Sequence, residues 1–166
     1  MNDQPRQMAS AGGECCRSLK FELGTVLADV DDETGARMSL QLQMEQMPGF
    51  LAARFTGAGT PGEASGQFEL IAEHCRRTNN DRLLIDTTEY EVKVSVADRF
   101  LMGERAQIFA RCRIKVAFVC KQEQIDPRKF GTLVAQNRGV SIDVFTDFQS
   151  AKEWLLTAPT RSKTLL

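Results

Sequence analysis

The stretch MSLQLQMEQMPGFLAARF, residues 38–55, decides how this 166-residue chain folds. Met38, Leu40, Leu42 and Met44 alternate with Ser39, Gln41, Gln43 and Glu45. Successive side chains of a strand point to opposite faces, so 38–45 predicts a strand with one buried and one wet face. Pro48-Gly49 turns the chain, and Phe50 to Phe55 follows as a second strand. Neighbours this close pair most easily as an antiparallel hairpin.

Beyond the hairpin the period changes. Phe68, Ile71, Ala72 and Cys75 fall at i, i+3, i+4 and i+7, the stripe of an amphipathic helix, which Asn79-Asn80 ends. Leu83-Leu84-Ile85 and Ile114 to Cys120 are continuous apolar runs, as expected of strands buried on both faces of a parallel sheet. Between them 95–111 predicts a helix with two apolar groups, Val96, Phe100, Leu101 and Ile108 against Met102, Ala106 and Phe109. One group docks on the sheet. The other, assigned as Met102, Ala106 and Phe109, needs a further cover, such as a protein partner or a second copy in a homodimer.

Asp126-Pro127 predicts a third helix, because Asp accepts from free amides and Pro suits the first helical position. It buries Phe130, Leu133 and Val134 and stops at Gly139. Val140, Ile142 and Val144 make a fifth strand, and Asp147 caps a last helix carrying Phe148, Ala151 and Leu155. The fold expected is α/β: a single mixed sheet of about five strands with about four helices, in the order β-β-α-β-α-β-α-β-α, its parallel strands sandwiched by right-handed crossover helices.

Toward the N-terminus the pattern fades. Residues 1–36 predict a flexible extension, with scattered apolar residues from Leu19 to Val30 for a short strand or helical turn. The domain proper is expected over 37–158, followed by a short tail, 159–166. The first 13 residues have no apolar core of a signal peptide, and no apolar run approaches the roughly 20 residues that span a bilayer. The five cysteines are odd in number and form no Cys-x-x-Cys pair. A cytoplasmic protein without membrane insertion is expected. A net charge of −1 names no polyanionic partner.

The order of elements over 38–157 resembles the STAS family, sulfate-transporter and anti-sigma-factor-antagonist domains, and in particular its stand-alone bacterial STAS/Sec14-like branch. The local likeness lies in Pro-Gly-Phe-Leu-Ala at 48–52, Leu-Leu-Ile-Asp-Thr-Thr at 83–88, and Val-Phe-Thr-Asp-Phe-Gln-Ser-Ala-Lys-Glu-Trp-Leu at 144–155. The resemblance implies a non-enzymatic regulatory or binding module acting through protein contacts. In antagonist members a serine after the third strand is phosphorylated by a partner kinase. The matching stretch here is Val94-Ser95-Val96-Ala97, where Ser95 matches by type and Val96 stands at the modified position. Ligands of open parallel sheets bind outside the carboxyl ends of the strands, so Asp86, Thr87, Thr88 and Ser95 are expected to gather there as ligand or phospho-switch candidates. Ser95 equally reads as a plain helix cap. The Sec14-like comparison and the Phe-rich interior imply a second function, capture of an apolar or lipid-like molecule in a cavity beside the 95–111 helix.

One rival is an enzyme. Gly57, Gly59 and Gly62 match Gly-x-Gly-x-x-Gly between a strand and a helix, with Asp86 ending the next strand, the pattern of a nucleotide-binding loop. Against it, Arg54 lies in the preceding strand, Glu63 brings negative charge to the phosphate position, and Asp86 is farther on than the usual offset of about 20 residues. A flexible loop is the preferred reading, and no cofactor is expected. His74 is the only histidine, so neither a His-rich metal site nor a Ser/His/Asp triad is expected. Seven basic residues from Arg111 to Arg138 face only Glu123 and Asp126. With no aromatic stacking platform beside them, they read as solvated surface rather than a nucleic-acid site.

Overall fold

A computed structural model describes residues 39–157. The expected N-terminal extension, the short element near 19–30 and the tail at 159–166 lie outside the described residues. The elements are β1 (Gln41–Met47), β2 (Phe50–Ala58), α1 (Pro61–Gly66), α2 (Phe68–Arg77), β3 (Arg82–Glu91), α3 (Val96–Arg105), α4 (Gln107–Arg111), β4 (Lys115–Val119), α5 (Phe130–Asn137), β5 (Ser141–Phe145) and α6 (Phe148–Leu156). Because α1 runs into α2 and α3 into α4 with one residue between, the helices form four units, as expected.

The five strands make one sheet in the order β1-β2-β3-β4-β5. β1 and β2 are antiparallel, with Met44 opposite Ala53, and every later pair is parallel. Gly49 at φ +88° makes the hairpin turn after Pro48, a backbone conformation that glycine adopts without strain. Leu42 and Met44 are half-buried while Gln41, Gln43 and Glu45 are exposed, so the alternation of this edge strand is the one its sequence predicts.

Adjacent strand residues feed two separate cores. On one face Leu51, Ala53, Phe55, Leu83, Ile85 and Val116 pack with Ala64, Phe68, Ile71, Phe109 and Ala135 from the helices. On the other, Phe50, Leu84, Ala117 and Val119 pack only with α6, through Ala151 and Leu155. The expected two-sided cover by crossover helices is therefore corrected. The parallel part of the sheet grows in one direction, so right-handed crossovers of one hand return on one face. The other face is left to α6, which follows the last strand and crosses to nothing.

Three helical units end in the same way. After α2, α4 and α5, the residues Asn79, Arg113 and Gly139 adopt φ of 54°, 58° and 82°. Each following amide reaches back to a carbonyl five residues earlier: Asn80 to Cys75, Ile114 to Phe109 and Val140 to Ala135. These are Schellman ends. Gly139 suits the left-handed position, whereas Arg113 holds it against the clash of its Cβ. Arg113→Gly is expected to raise the unfolding free energy by about 0.5–1 kcal/mol, read as a higher urea midpoint at unchanged slope.

The start of α5 and the burial of one of its residues differ from expectation. Asp126 does cap, but it caps a turn: its carboxylate accepts from the amides of Arg128 (3.0 Å) and Phe130 (3.2 Å). Lys129 then takes φ +48°, so α5 starts at Phe130 rather than at Pro127. On α5, Val134 and Ala135 are buried, but Leu133, expected inside, is 49% exposed.

Candidate functional site

The site is built around a bulge in β3. Arg54 of β2 stands opposite Asp86 and Thr56 opposite Glu89, so Thr87 and Thr88 together face the single residue Phe55. An extra residue reverses the parity of a strand. Leu83 and Ile85 before the bulge, Thr87 within it, and Tyr90 and Val92 after it consequently look toward the same side, where α1, α3 and α5 lie.

There the sheet and these helices line a half-open apolar pocket of about 140 Å³. Phe55, Ile85 and Phe118 line it from the sheet, and Phe68 and Met102 from the helices. Arg99, Gln124, Asp126 and Lys129 supply its polar groups. α3 and α5 meet above it almost without side chains: a Cβ on Gly103 would lie 2.8 Å from the carbonyl oxygen of Gly131. Tyr90 closes the α1 side, its hydroxyl donating to the Thr60 carbonyl at 3.0 Å. Burial, with the negative charge of Glu63 second, pushes that phenol up to about 12. Cys120 also lines the cavity, and burial raises its thiol to about 11.

Asp86, Thr87 and Thr88 do not gather with Ser95 beyond the sheet. β3 runs on to Glu91, which leaves the three inside the strand and Ser95 four residues past its end. Their polar groups satisfy one another and their neighbours. Asp86 meets Arg54 at 3.5 Å and accepts from the amide (3.0 Å) and hydroxyl (2.7 Å) of Thr88. Thr87 donates to the carbonyl of Val119 at 3.1 Å. A sequence pattern rarely extends a strand through Asp-Thr-Thr, and here the bulge supplies the turn-like geometry those residues favour.

Ser95 is the N-cap of α3 in a reciprocal capping box. Its hydroxyl accepts from the Asp98 amide (3.2 Å) and donates to the Asp98 carboxylate (2.6 Å), which also takes the Ser95 amide (2.8 Å). These bonds hold Asp98 below its ordinary value of 3.8. The Arg128 amide does the same for Asp126 and the Ser150 amide for Asp147. Carboxylates depressed in the folded state stabilise it above their unfolded pKa, and that stability is lost as pH falls through the folded value. Thermal stability is therefore expected to hold down to about pH 4 and to fall below it. Ser95→Ala is expected to cost about 1 kcal/mol at neutral pH and to make the acid limb shallower, both readable in melting curves from pH 7 to pH 2.5.

The glycine run is a strand end and a helix start rather than a flexible loop. Gly57 and Ala58 are the last residues of β2, and Gly59 donates its amide to Glu91. Thr60 caps α1, and the Glu63 carboxylate takes the Thr60 amide at 2.7 Å and its hydroxyl at 2.9 Å. The group that would meet a phosphate at Gly57, Gly59 and Gly62 is thus already an anion of the chain itself.

The helix faces are exchanged relative to expectation. Ala106 and Phe109, proposed for a partner, are 4% and 0% exposed, and Met102 lines the cavity. The outward residues are Val96 (71%), Phe100 (40%) and Leu101 (51%), joined by Leu133 of the adjoining α5. Phe100 stacks on Phe130 at 6.5 Å, with the Arg138 guanidinium 5.4 Å from its ring centre. The apolar residues from Val96 to Phe109 fall on more than one face, so their period does not set the phase. Gly103 inside a helical run is the signal that does, since it marks a close approach. The basic run is dispersed: Lys115 donates to the Trp154 carbonyl at the end of α6, and Lys129 pairs with Asp143 at 3.0 Å. Among the described residues no group of His, Cys, Asp and Glu could hold a metal ion, and no helix is long and apolar enough to cross a membrane.

No protein family and no curated protein matches the chain by sequence. Several solved chains are similar in fold, two of which are described. One is an anti-sigma factor antagonist from Mycobacterium paratuberculosis, 11% identical, with a TM-score of 0.48 over 70% of this chain and 94% of that one. The other is an uncharacterized protein of the DUF3478 family with a SpoIIAA-like fold, from Shewanella loihica PV-4, 21% identical, with a TM-score of 0.45 over 75% and 99%. What characterises this domain is the mixed sheet in sequential order, with the α3–α5 pair outside a small pocket.

Proposed function

We propose that this chain is a non-enzymatic regulatory module of the cytoplasm that acts through protein contacts made by the α3–α5 face. The observation that carries the reading is the outward set Val96, Phe100, Leu101 and Leu133 on two packed helices. Exposed apolar side chains grouped in this way mark interaction surfaces more often than plain solvent-facing ones. Ser95 opens the same helix, and a phosphate there would place a dianion beside Asp98 at the edge of that face. The partner is a second copy or another protein of the source cell.

A photoreactive residue at Leu101, with Gln43 on β1 as control, tests the surface in cells. A discrete adduct from Leu101 alone is expected, at twice the chain mass if the partner is a second copy. Equal or absent adducts at the two positions, with only monomer by light scattering, would remove the reading. Ser95→Asp is expected to change adduct yield while unfolding stays cooperative.

A further inference from the structure

We propose that the cavity beneath α3 and α5 binds a compact apolar carboxylate, with a body the size of one aromatic ring or a short branched chain. Well-packed interiors hold few voids larger than a water molecule, so a space of about 140 Å³ over the sheet is a feature of the fold. An engineered apolar cavity of about 150 Å³ in another protein stays dry and takes up benzene, which sets the scale of the ligand body. A long acyl chain exceeds it and would have to run out through the open side into solvent.

The polar end follows from Arg99. Its side chain is half-buried at the cavity and donates to the Gln124 carbonyl at 3.1 Å. Among the described residues it is in no ion pair. The other charges of the lining are engaged: Lys129 with Asp143, and Asp126 with the Arg128 and Phe130 amides, its carboxylate also lying within the field of Arg99. A guanidinium carries five donors, and its planar fork matches a carboxylate. A ligand whose apolar body sits over Ile85 and Phe118 with its carboxylate at Arg99 satisfies both parts of the site. This site lies behind the α3–α5 face and holds whether or not that face meets a protein.

Methyl NMR of the full chain, titrated with benzoate, benzyl alcohol and palmitate, tests the site. Benzoate is expected to shift the methyls of Ile85 and Met102 and to leave those of Val96 and Leu101 in place. Arg99→Gln is expected to weaken benzoate about tenfold, the loss of one charge-assisted contact, with benzyl alcohol unaffected. Ala106→Leu, or Thr132→Leu if the first unfolds, is expected to abolish binding while keeping cooperative unfolding. Absence of benzoate shifts at tens of millimolar, or shifts confined to Val96 and Leu101, would overturn the site. Equal binding of benzyl alcohol with no effect of Arg99→Gln would overturn the carboxylate, and preference for palmitate would overturn the size.

Discussion

Phe109→Ala is expected to lower the unfolding free energy by about 3–5 kcal/mol, a large share of the 5–15 kcal/mol that a domain has. The ring is 0% exposed, lies 5.2 Å centre to centre from that of Phe68, and belongs to the cluster of Ile71, Ile85 and Val116. Removing it takes apolar surface out of the core and leaves a void that α2 and α4 cannot both close. Leu101→Ala, one helix back and 51% exposed, is expected to stay within about 0.5 kcal/mol. Urea denaturation of the two variants decides between them. A loss of less than 1 kcal/mol at Phe109, or a large one at Leu101, would contradict the assignment of core and surface on this helical unit.

Gly103→Val is expected to destabilise by about 2–3 kcal/mol, with the sign set by contact rather than propensity. Its Cβ would lie 2.7 Å from Val134 Cγ1 and 2.8 Å from both Val134 Cβ and the Gly131 carbonyl oxygen. The last is backbone and cannot swing aside, so α5 itself must move. Replacing a helical glycine normally favours the helix by a fraction of a kcal/mol, which offsets little of this. Gly66→Ala is the control. Nothing lies within 4 Å of that Cβ, and a gain of up to about 1 kcal/mol is expected there. Melting temperatures moving in opposite directions would bear this out; a neutral Gly103→Val would refute the close packing of α3 on α5.

What was legible in the sequence was local. The alternation at 40–44, the Phe68 stripe and the Asp147 cap, whose carboxylate takes the Ser150 amide at 2.8 Å, each depend on residues a few positions apart. What was not legible depends on partners far along the chain. Asp86-Thr87-Thr88 reads as the end of a strand until Arg54 and the Val119 carbonyl are seen to satisfy it. Lys129 in a left-handed conformation delays α5 by a turn that Asp126-Pro127 alone does not announce. The phase of α3 is decided by α5 at Gly103, some 30 residues downstream. Of the site, the bulge and Arg99 were missed for the same reason, while Ser95 was seen and its capping chemistry follows from residue type.

Every strand pairs with the one made immediately before it. A ribosome extruding this chain releases each strand after β1 onto an edge that already exists, and each open edge waits only for the next strand in sequence. From β3 onward the helix that roofs one face precedes each new strand, whereas the face of Phe50, Leu84 and Val119 waits for α6, the last element made. Such an arrangement limits the time for which a bare edge is open to other nascent chains, the usual beginning of aggregation.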